Sequence, residues 1–216
     1  MKYDDLVQLG EETNDRYTQR LNKFGYDATS LGWDNKKNQM IRFDAALSLV
    51  NVDGKSVLDI GCGFGDLLDS IYESGKKPKG YTGVDINDDL LKVAKEKHPE
   101  AEFEVKNILL DPEYRKHDFV FMNGVLNFNL KNKGIDNYEY AKDFIEKTFA
   151  LAEEGLVVDM LSSYLTPDYP PEEEYVFYYS PEEMFKFAQS LTPNVVLKHD
   201  YEPIPQREFM LLLRKI

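Results

Sequence analysis

The chain has 216 residues, of which 42% are hydrophobic and 30% are charged, so it is long enough for one ample core and has a globular composition. Its net charge of −13 disfavours a nucleic-acid substrate, because phosphate backbones repel an acidic protein that carries no basic stripe. No apolar run reaches the length of a membrane span, and the first thirteen residues lack a signal-peptide core. We therefore expect one cytoplasmic domain that acts without membrane or nucleic-acid partners.

Cys62 is the single cysteine, so no internal disulfide and no cysteine-rich zinc site are expected. No spacing of carboxylates and histidines suggests another metal site. We predict that Cys62 is a small packing residue and that the protein holds no metal.

Two amphipathic helices are predicted before the first strand, each from apolar residues at helical spacing. The first is predicted to end near Gly25. We expect residues 1–50 to form a helical lid over a cofactor-binding core of residues 51–216, the two together making one domain. The two apolar stripes are Tyr17, Leu21 and Phe24, followed by Met40, Phe43, Leu47 and Val50.

A strand, a glycine-rich turn and a helix then follow one another. Residues 57–60 form a short apolar run that is typical of a buried strand, and apolar residues recur at helical spacing after residue 66. Between them lie Gly61, Gly63 and Gly65, which allow a backbone to approach a ligand closely. The start of the helix adds unpaired N–H groups, so this segment predicts a nucleotide cradle.

The spacing within the turn indicates which nucleotide binds. A dinucleotide-binding turn has the pattern Gly-x-Gly-x-x-Gly, whereas this chain has Gly-x-Gly-x-Gly with Asp66 in the third glycine position. Asp59 lies directly before the turn. Two carboxylates suit a ligand with a cationic amine better than a pyrophosphate, so a nicotinamide oxidoreductase is disfavoured.

The stretch Val-Leu-Asp-Ile-Gly-Cys-Gly-Phe-Gly at residues 57–65 resembles motif I of class I S-adenosylmethionine-dependent methyltransferases. The resemblance implies S-adenosylmethionine as cofactor. We expect Asp59, Gly61 and Gly63 to belong to its binding site.

Strands and helices alternate through the rest of the chain, which favours an α/β fold with a mainly parallel sheet between helices. Asn87 is predicted to cap one helix, and Ser180 with Glu183 forms a capping box for another. The family resemblance implies a Rossmann-like, seven-stranded sheet that ends in an antiparallel hairpin. The expected strands after the glycine turn are residues 80–85, 101–105, 118–122, 155–161, 194–199 and 207–213.

Polar residues at the ends of these strands are candidates for binding the cofactor, because ligands of open α/β sheets bind at the carboxyl ends of strands. Asp85 is predicted to accept the ribose hydroxyls, with a helix-cap role as the alternative. Ile86 is expected along the adenine, and Asn107 and Ile108 at its edge. By resemblance to the family, the backbone of Asn123 would contact the methionine part.

The N-terminal segment carries a second resemblance. Leu31-Gly32-Trp33, Gln39 and Arg42-Phe43 resemble a segment of some small bacterial methyltransferases, which implies that Arg42 or Arg20 meets the cofactor carboxylate and that Trp33 covers the cofactor. Packing of Trp33 in the lid and a solvated Arg42 are the alternative interpretations.

Three residues are candidates for the reaction itself, although methyl transfer requires alignment rather than one diagnostic group. Asn127 follows the fourth predicted strand, where a carboxamide can orient a substrate. Tyr178 is either a substrate contact or part of an amphipathic wall. His199 is either a base or a structural histidine. The segment Asp-Tyr-Pro-Pro at residues 168–171 has the wrong order for an N6-adenine methyltransferase motif and is interpreted as a loop.

Segments at residues 123–127 and 178–185 resemble a subgroup that tailors surface polysaccharides, in particular by O-methyl phosphoramidate decoration of capsules. Asp159 departs from the asparagine expected in that subgroup. The resemblance implies O-methylation of a small polar metabolite, such as a phosphoramidate or sugar intermediate. A protein methyltransferase and a non-catalytic S-adenosylmethionine-binding subunit are the alternatives. The sequence does not indicate the oligomeric state.

Overall fold

A computed structural model describes residues 3–164, 175–201 and 208–216. Seven strands form a sheet in the order β3-β2-β1-β4-β5-β7-β6, in which β7 is antiparallel to both its neighbours and the remaining pairs are parallel. The predicted fold class is therefore confirmed. The strands are β1 Ser56–Ile60, β2 Gly80–Asp85, β3 Glu102–Val105, β4 His117–Met122, β5 Ala152–Leu161, β6 Val195–Lys198 and β7 Glu208–Arg214.

Helices cover both faces of this sheet. One face buries apolar residues of α2, α3 and α4, and the other buries residues of α5 and α6. The segment before β1 is helical as predicted, and α1 also packs against α4. The α-helices are α1 Tyr3–Phe24, α2 Lys36–Leu47, α3 Asp66–Glu73, α4 Asp88–Lys97, α5 Asn137–Ala150 and α6 Pro181–Leu191.

The predicted helix caps are confirmed. Asn87 precedes α4 and accepts a hydrogen bond from the backbone N–H of Leu90 at 2.9 Å. Ser180 precedes α6 and accepts one from Glu183 at 3.2 Å, with Pro181 as the first helical residue. The other half of the predicted capping box differs, because the Ser180 N–H donates to the Tyr138 hydroxyl at 2.9 Å instead of to Glu183. The first helix ends before Gly25 as predicted, and it begins at Tyr3, ahead of the predicted stripe of Tyr17, Leu21 and Phe24.

The glycine turn joins β1 to α3. Gly61, Gly63 and Gly65 all have positive φ angles, of 71°, 53° and 72°, which favour glycine. The backbone N–H groups of Gly61 and Cys62 both donate to the carbonyl of Val84, which holds the turn against β2. Cys62 is buried, and a Cβ atom on Gly83 would lie 2.7 Å from its Sγ, so Cys62 is a packing residue as predicted.

The predicted Asp-Tyr-Pro-Pro loop at residues 168–171 and the residues directly before β7 lie outside the described residues. In the part of the chain that the structure describes, no helix has the length and hydrophobicity required to cross a membrane. The same ranges contain no group of three or more histidine, cysteine, aspartate or glutamate side chains that could hold a metal ion.

Candidate cofactor site

A pocket lies at the carboxyl ends of β1, β2 and β4, the edge at which parallel α/β sheets bind ligands. The helices α1 and α2 line its opposite side. Nine of the ten residues predicted to bind cofactor line this pocket: Trp33, Asp59, Gly61, Gly63, Asp85, Ile86, Asn107, Ile108 and Asn123. The structure therefore brings residues from four strand ends and the N-terminal segment to one cavity.

Asp85 is buried at the end of β2 and holds two backbone segments in place. One carboxylate oxygen accepts the Gly63 N–H at 3.0 Å, and the other accepts the Asn87 N–H at 2.9 Å. Burial raises the pKa of Asp85, whereas these backbone hydrogen bonds act in the opposite direction. Asp85 therefore fixes the glycine turn, and its contact with a ribose stays a prediction.

Asp59 is the second carboxylate of the pocket wall. It accepts a hydrogen bond from the Tyr81 hydroxyl at 2.5 Å. Burial raises the pKa of Asp59 to about 7, and the hydrogen bond from Tyr81 opposes this shift. A cationic ligand group in the pocket would stabilise the ionised form of Asp59.

Helix α1 closes the pocket above β3. A Cβ atom on Gly10 would lie 3.2 Å from Nδ2 of Asn107, so the helix approaches this strand end closely. The Asn107 side chain accepts the Leu109 N–H at 3.1 Å and forms a local turn. The lining residues of α1 were missed in the sequence, although their helical spacing was available as a signal. These residues are Leu6, Leu9, Gly10, Thr13 and Tyr17.

Trp33 forms a wall of the pocket against the turn that follows β4. A Cβ atom on Gly124 would lie 2.5 Å from Cη2 of Trp33, so the indole requires a glycine there. The Gly124 N–H donates to Asp159 on β5 at 2.6 Å, which fixes the backbone of this turn.

The predicted contact between Arg42 and a cofactor carboxylate is not supported. Arg42 is buried, and its Nε atom lies 2.7 and 2.8 Å from the two carboxylate oxygens of Glu208 on β7. Its guanidinium carbon lies 4.3 Å from the centroid of the Trp33 ring, and Arg42 is not among the described residues that line the pocket. A protein carboxylate therefore takes the place of the expected ligand carboxylate.

Arg20, the other candidate for that contact, is engaged with backbone carbonyls. Its guanidinium donates to Thr29 and Ser30 in the turn after α1. It therefore stabilises the connection between α1 and α2.

Asp66 points to protein partners rather than to the pocket. The Tyr26 hydroxyl and Nε2 of Gln39 donate to its carboxylate, both at 3.0 Å, and Lys36 and Lys97 pair with it. Its charge is thus compensated, so the argument that Asp66 repels a pyrophosphate is weaker than the sequence suggested. The glycine spacing and Asp59 remain as evidence against a dinucleotide.

The three predicted catalytic residues are not brought together in the pocket. None of Asn127, Tyr178 and His199 is among its described lining residues. The Asn127 carbonyl accepts the Phe177 N–H at 2.9 Å, and the His199 ring lies 6.1 Å from the Phe209 ring. Their catalytic roles stay predictions.

Two carboxamides inside the pocket have atoms without hydrogen-bond partners among the described residues. Asn123 is 8% exposed, and both its Oδ1 and Nδ2 are unpartnered. Gln39 is 1% exposed, and its Oε1 is unpartnered. Buried polar atoms are usually satisfied, so these atoms indicate where a ligand would bind.

A family model described as a methyltransferase domain matches residues 51–166, which is more than half of the chain. The chain belongs to this methyltransferase family. Its members use S-adenosylmethionine as the methyl donor, so the predicted cofactor is confirmed. The match contains the glycine turn and the strand ends from β1 to β5, whereas Trp33 and Gln39 precede it.

Individual proteins agree with this assignment. Rv1506c of Mycobacterium tuberculosis, a methyltransferase by name, is 28% identical over 174 residues, which are 78% of this chain and 99% of that protein. A ubiquinone biosynthesis O-methyltransferase of Nitrosospira multiformis is 55% identical over 42 residues, or 19% of this chain and 16% of that protein.

Solved structures share the fold. Magnesium protoporphyrin IX methyltransferase (ChlM) from Synechocystis PCC 6803, with bound SAH, has a TM-score of 0.65 and 16% identity over 97% of this chain and 99% of that chain. The small RNA methyltransferase HEN1 has a TM-score of 0.61 and 19% identity over 84% of this chain and 26% of that chain.

Proposed function

We propose that this methyltransferase transfers a methyl group from S-adenosylmethionine to an oxygen atom of a small molecule. The observation that carries the proposal is the pocket at the carboxyl edge of the sheet, where a glycine turn and two carboxylates meet two carboxamides that have polar atoms without partners among the described residues. A cradle of this composition fits a nucleoside with a cationic amino-acid end.

Each part of the cofactor has matching residues in the pocket. Asp85 is suited to ribose hydroxyls, and Ile86, Asn107 and Ile108 to adenine. The turn residues must stay small, since a Cβ atom on Gly61 would lie 2.8 Å from Cγ2 of Val125. When bound, the cofactor supplies an electrophilic methyl group on its sulfonium.

The chain then has to orient the acceptor and keep water out, which together supply most of the rate enhancement in a displacement of this kind. Trp33 and α1 line the side of the pocket away from the sheet and would exclude water. Asn127, Tyr178 and His199 remain proposed contributors on the acceptor side, beyond the turn that follows β4.

A small-molecule acceptor is supported by the net charge of −13 and by the way α1 and α2 enclose the pocket. The names of ChlM and of the ubiquinone biosynthesis enzyme also describe small-molecule methyltransferases. A phosphoramidate or sugar intermediate of a surface polysaccharide, proposed from the sequence resemblance, is one acceptor to test.

The same acidic charge supports a second candidate, methylation of a basic protein, because an acidic enzyme attracts such a partner. One experiment separates the two candidates. The purified protein is incubated with methyl-labelled S-adenosylmethionine and a lysate of the source organism, and the product is divided by acid precipitation.

Label in the acid-soluble pool supports a small-molecule acceptor, and label in protease-sensitive precipitate supports a protein acceptor. Label in nuclease-sensitive precipitate would contradict both proposals. Binding of S-adenosylhomocysteine without any transfer would identify a non-catalytic cofactor-binding subunit.

A further inference from the structure

The carboxamide of Gln39 has a fixed orientation. Its Nε2 donates to Asp66 at 3.0 Å, while its Oε1 is buried in the pocket wall without a partner among the described residues. Burial opposes ionisation of Asp66, but Lys97 and Lys36 outweigh it and hold the pKa of that carboxyl below its usual range. An ionised carboxylate only accepts hydrogen bonds, so the amide nitrogen has to face Asp66 and the oxygen has to face the pocket.

The position of Gln39 indicates which part of the cofactor it meets. Helix α2 packs against β5, which lies on the opposite side of β1 from β2 and β3 in the sheet. Asp85 and Asn107, the residues suited to ribose and adenine, end those two distant strands. Gln39 therefore lies at the amino-acid end of the cofactor.

The electrostatic environment of this end favours a cation. Asp159 lies two residues after Val157 on β5, and Glu208 lies two residues before Met210 on β7. Side chains two residues apart share a face of the sheet, and Val157 and Met210 pack on the face covered by α2, so both acids point to that face. Asp59 lines the pocket itself. The described cations near these acids form their salt bridges elsewhere, Arg42 with Glu208 and two lysines with Asp66. Arg42 acts on Asp159 only through space, so neither Asp59 nor Asp159 forms a salt bridge with another described residue.

We propose that Oε1 of Gln39 accepts a hydrogen bond from the α-ammonium of the methionine moiety, with Asp59 as the compensating charge. The inference rests on the proposed function and names a binding residue outside the segment matched by the family model. Helix α2 would then bind the amine through the neutral Oε1 of Gln39, while Asp66 holds the Nε2 of the same carboxamide.

The test compares two ligands that differ only by the amine. Calorimetry measures the affinities of S-adenosylhomocysteine and its deamino analogue for wild type and Gln39→Met. We expect wild type to bind S-adenosylhomocysteine about ten-fold more tightly than the deamino analogue, because a hydrogen bond to a charged group contributes about that much to affinity. Gln39→Met should lose most of this preference. Gln39→Leu replaces Gln39→Met if thermal melting shows that the latter is unfolded.

Tyr26→Phe is the matched control, because it also removes one donor from Asp66 but leaves Gln39 intact. It should keep the wild-type preference. The inference is overturned by a wild type that binds both ligands equally, by a Gln39 variant that keeps the full preference, or by Tyr26→Phe losing as much as Gln39→Met. A wild type that binds neither ligand would instead overturn the proposed function.

Discussion

At the scale of single residues, Asn123 combines the features expected of a side chain retained for function. It is 92% buried, since 8% of its surface is exposed, and neither polar atom has a partner among the described residues. Leaving buried polar atoms unpaired costs roughly 1–3 kcal/mol per group in the ligand-free protein. Such a cost is typical of binding sites, where stability is exchanged for activity.

Asn123→Ala should therefore leave the free energy of unfolding unchanged or raise it, while methyl transfer falls roughly ten-fold or more. Denaturant unfolding and a labelled-methyl assay measure the two quantities. Asn127→Ala is measured in the same assay, because Asn127 is a proposed contributor on the acceptor side that lies outside the described pocket lining. An Asn123→Ala variant that transfers methyl groups as fast as wild type would contradict the role of Asn123, whatever the result for Asn127→Ala.

At the scale of elements, one buried ion pair connects α2 to β7. Arg42 and Glu208 have side chains that are 5% and 0% exposed, so neither charge is solvated by bulk water. Replacing one partner leaves the other charged, buried and uncompensated. The pair thus ties the helix that carries Gln39 to the sheet.

Arg42→Met should lower the free energy of unfolding by about 3–5 kcal/mol, whereas the double variant Arg42→Met/Glu208→Leu should recover most of that loss. Denaturant unfolding at neutral pH provides the comparison. If the double variant were as unstable as the single one, packing around Trp33 rather than charge would explain the effect.

Asp159 on β5, which accepts the Gly124 N–H of the turn after β4, should make the stability of the fold depend on pH. Burial raises the pKa of Asp159 to about 6, although the Gly124 N–H and Arg42 act in the opposite direction. Because the pKa in the unfolded chain is about 3.9, the folded state binds this proton more tightly. The stabilisation from protonated Asp159 is complete below about pH 4 and is lost as pH rises through about 6.

Asp159→Asn keeps an acceptor for Gly124 and removes the titration. Relative to wild type, its free energy of unfolding should rise by roughly 3 kcal/mol between pH 4 and pH 8. The described ionisable neighbours of Asp159 are Glu208, Arg42 and Tyr201. The loss of stability with rising pH is larger in wild type because the charge of Asp159 also helps to raise the pKa of Glu208. Unfolding curves across this pH range measure the difference, and parallel curves for the two proteins would contradict the assignment.

Local sequence patterns predicted the helices, strands and turns well, but they could not predict contacts between residues that are far apart in the sequence. The cap at Asn87 and the turn around Gly63 are determined by residues a few positions apart, so both were predictable. The pairing of Arg42 with Glu208 joins positions 166 residues apart, for which a single sequence carries no signal. Gln39 was noted only as part of a segment, because its unpartnered oxygen becomes visible only when its neighbours are in place.

At the scale of the whole molecule, the pocket is formed by α1, α2 and the ends of several strands, so ligand binding should stabilise the fold as a unit. S-adenosylhomocysteine at a hundred times its Kd should add about 2.7 kcal/mol to the free energy of unfolding and raise Tm by roughly 5–10 °C. Thermal melting measures the shift. NADH should not raise the Tm. At the same concentrations of S-adenosylhomocysteine, Asp85→Ala should lose most of the increase in Tm. Equal increases with both ligands would contradict the cofactor assignment.

The ion pair between α2 and β7 also bears on synthesis at the ribosome. The chain emerges from its N-terminus, so Trp33 and Arg42 are made early, while Glu208 belongs to the last strand to appear, which inserts between β5 and β6. Until that strand emerges, Arg42 cannot pair with Glu208. The Trp33 ring, which stacks on Arg42, then lacks the support of this ion pair. Cofactor capture should therefore begin only after β7 has been synthesised and has left the ribosome, and a nascent chain stalled before residue 208 should not retain S-adenosylhomocysteine.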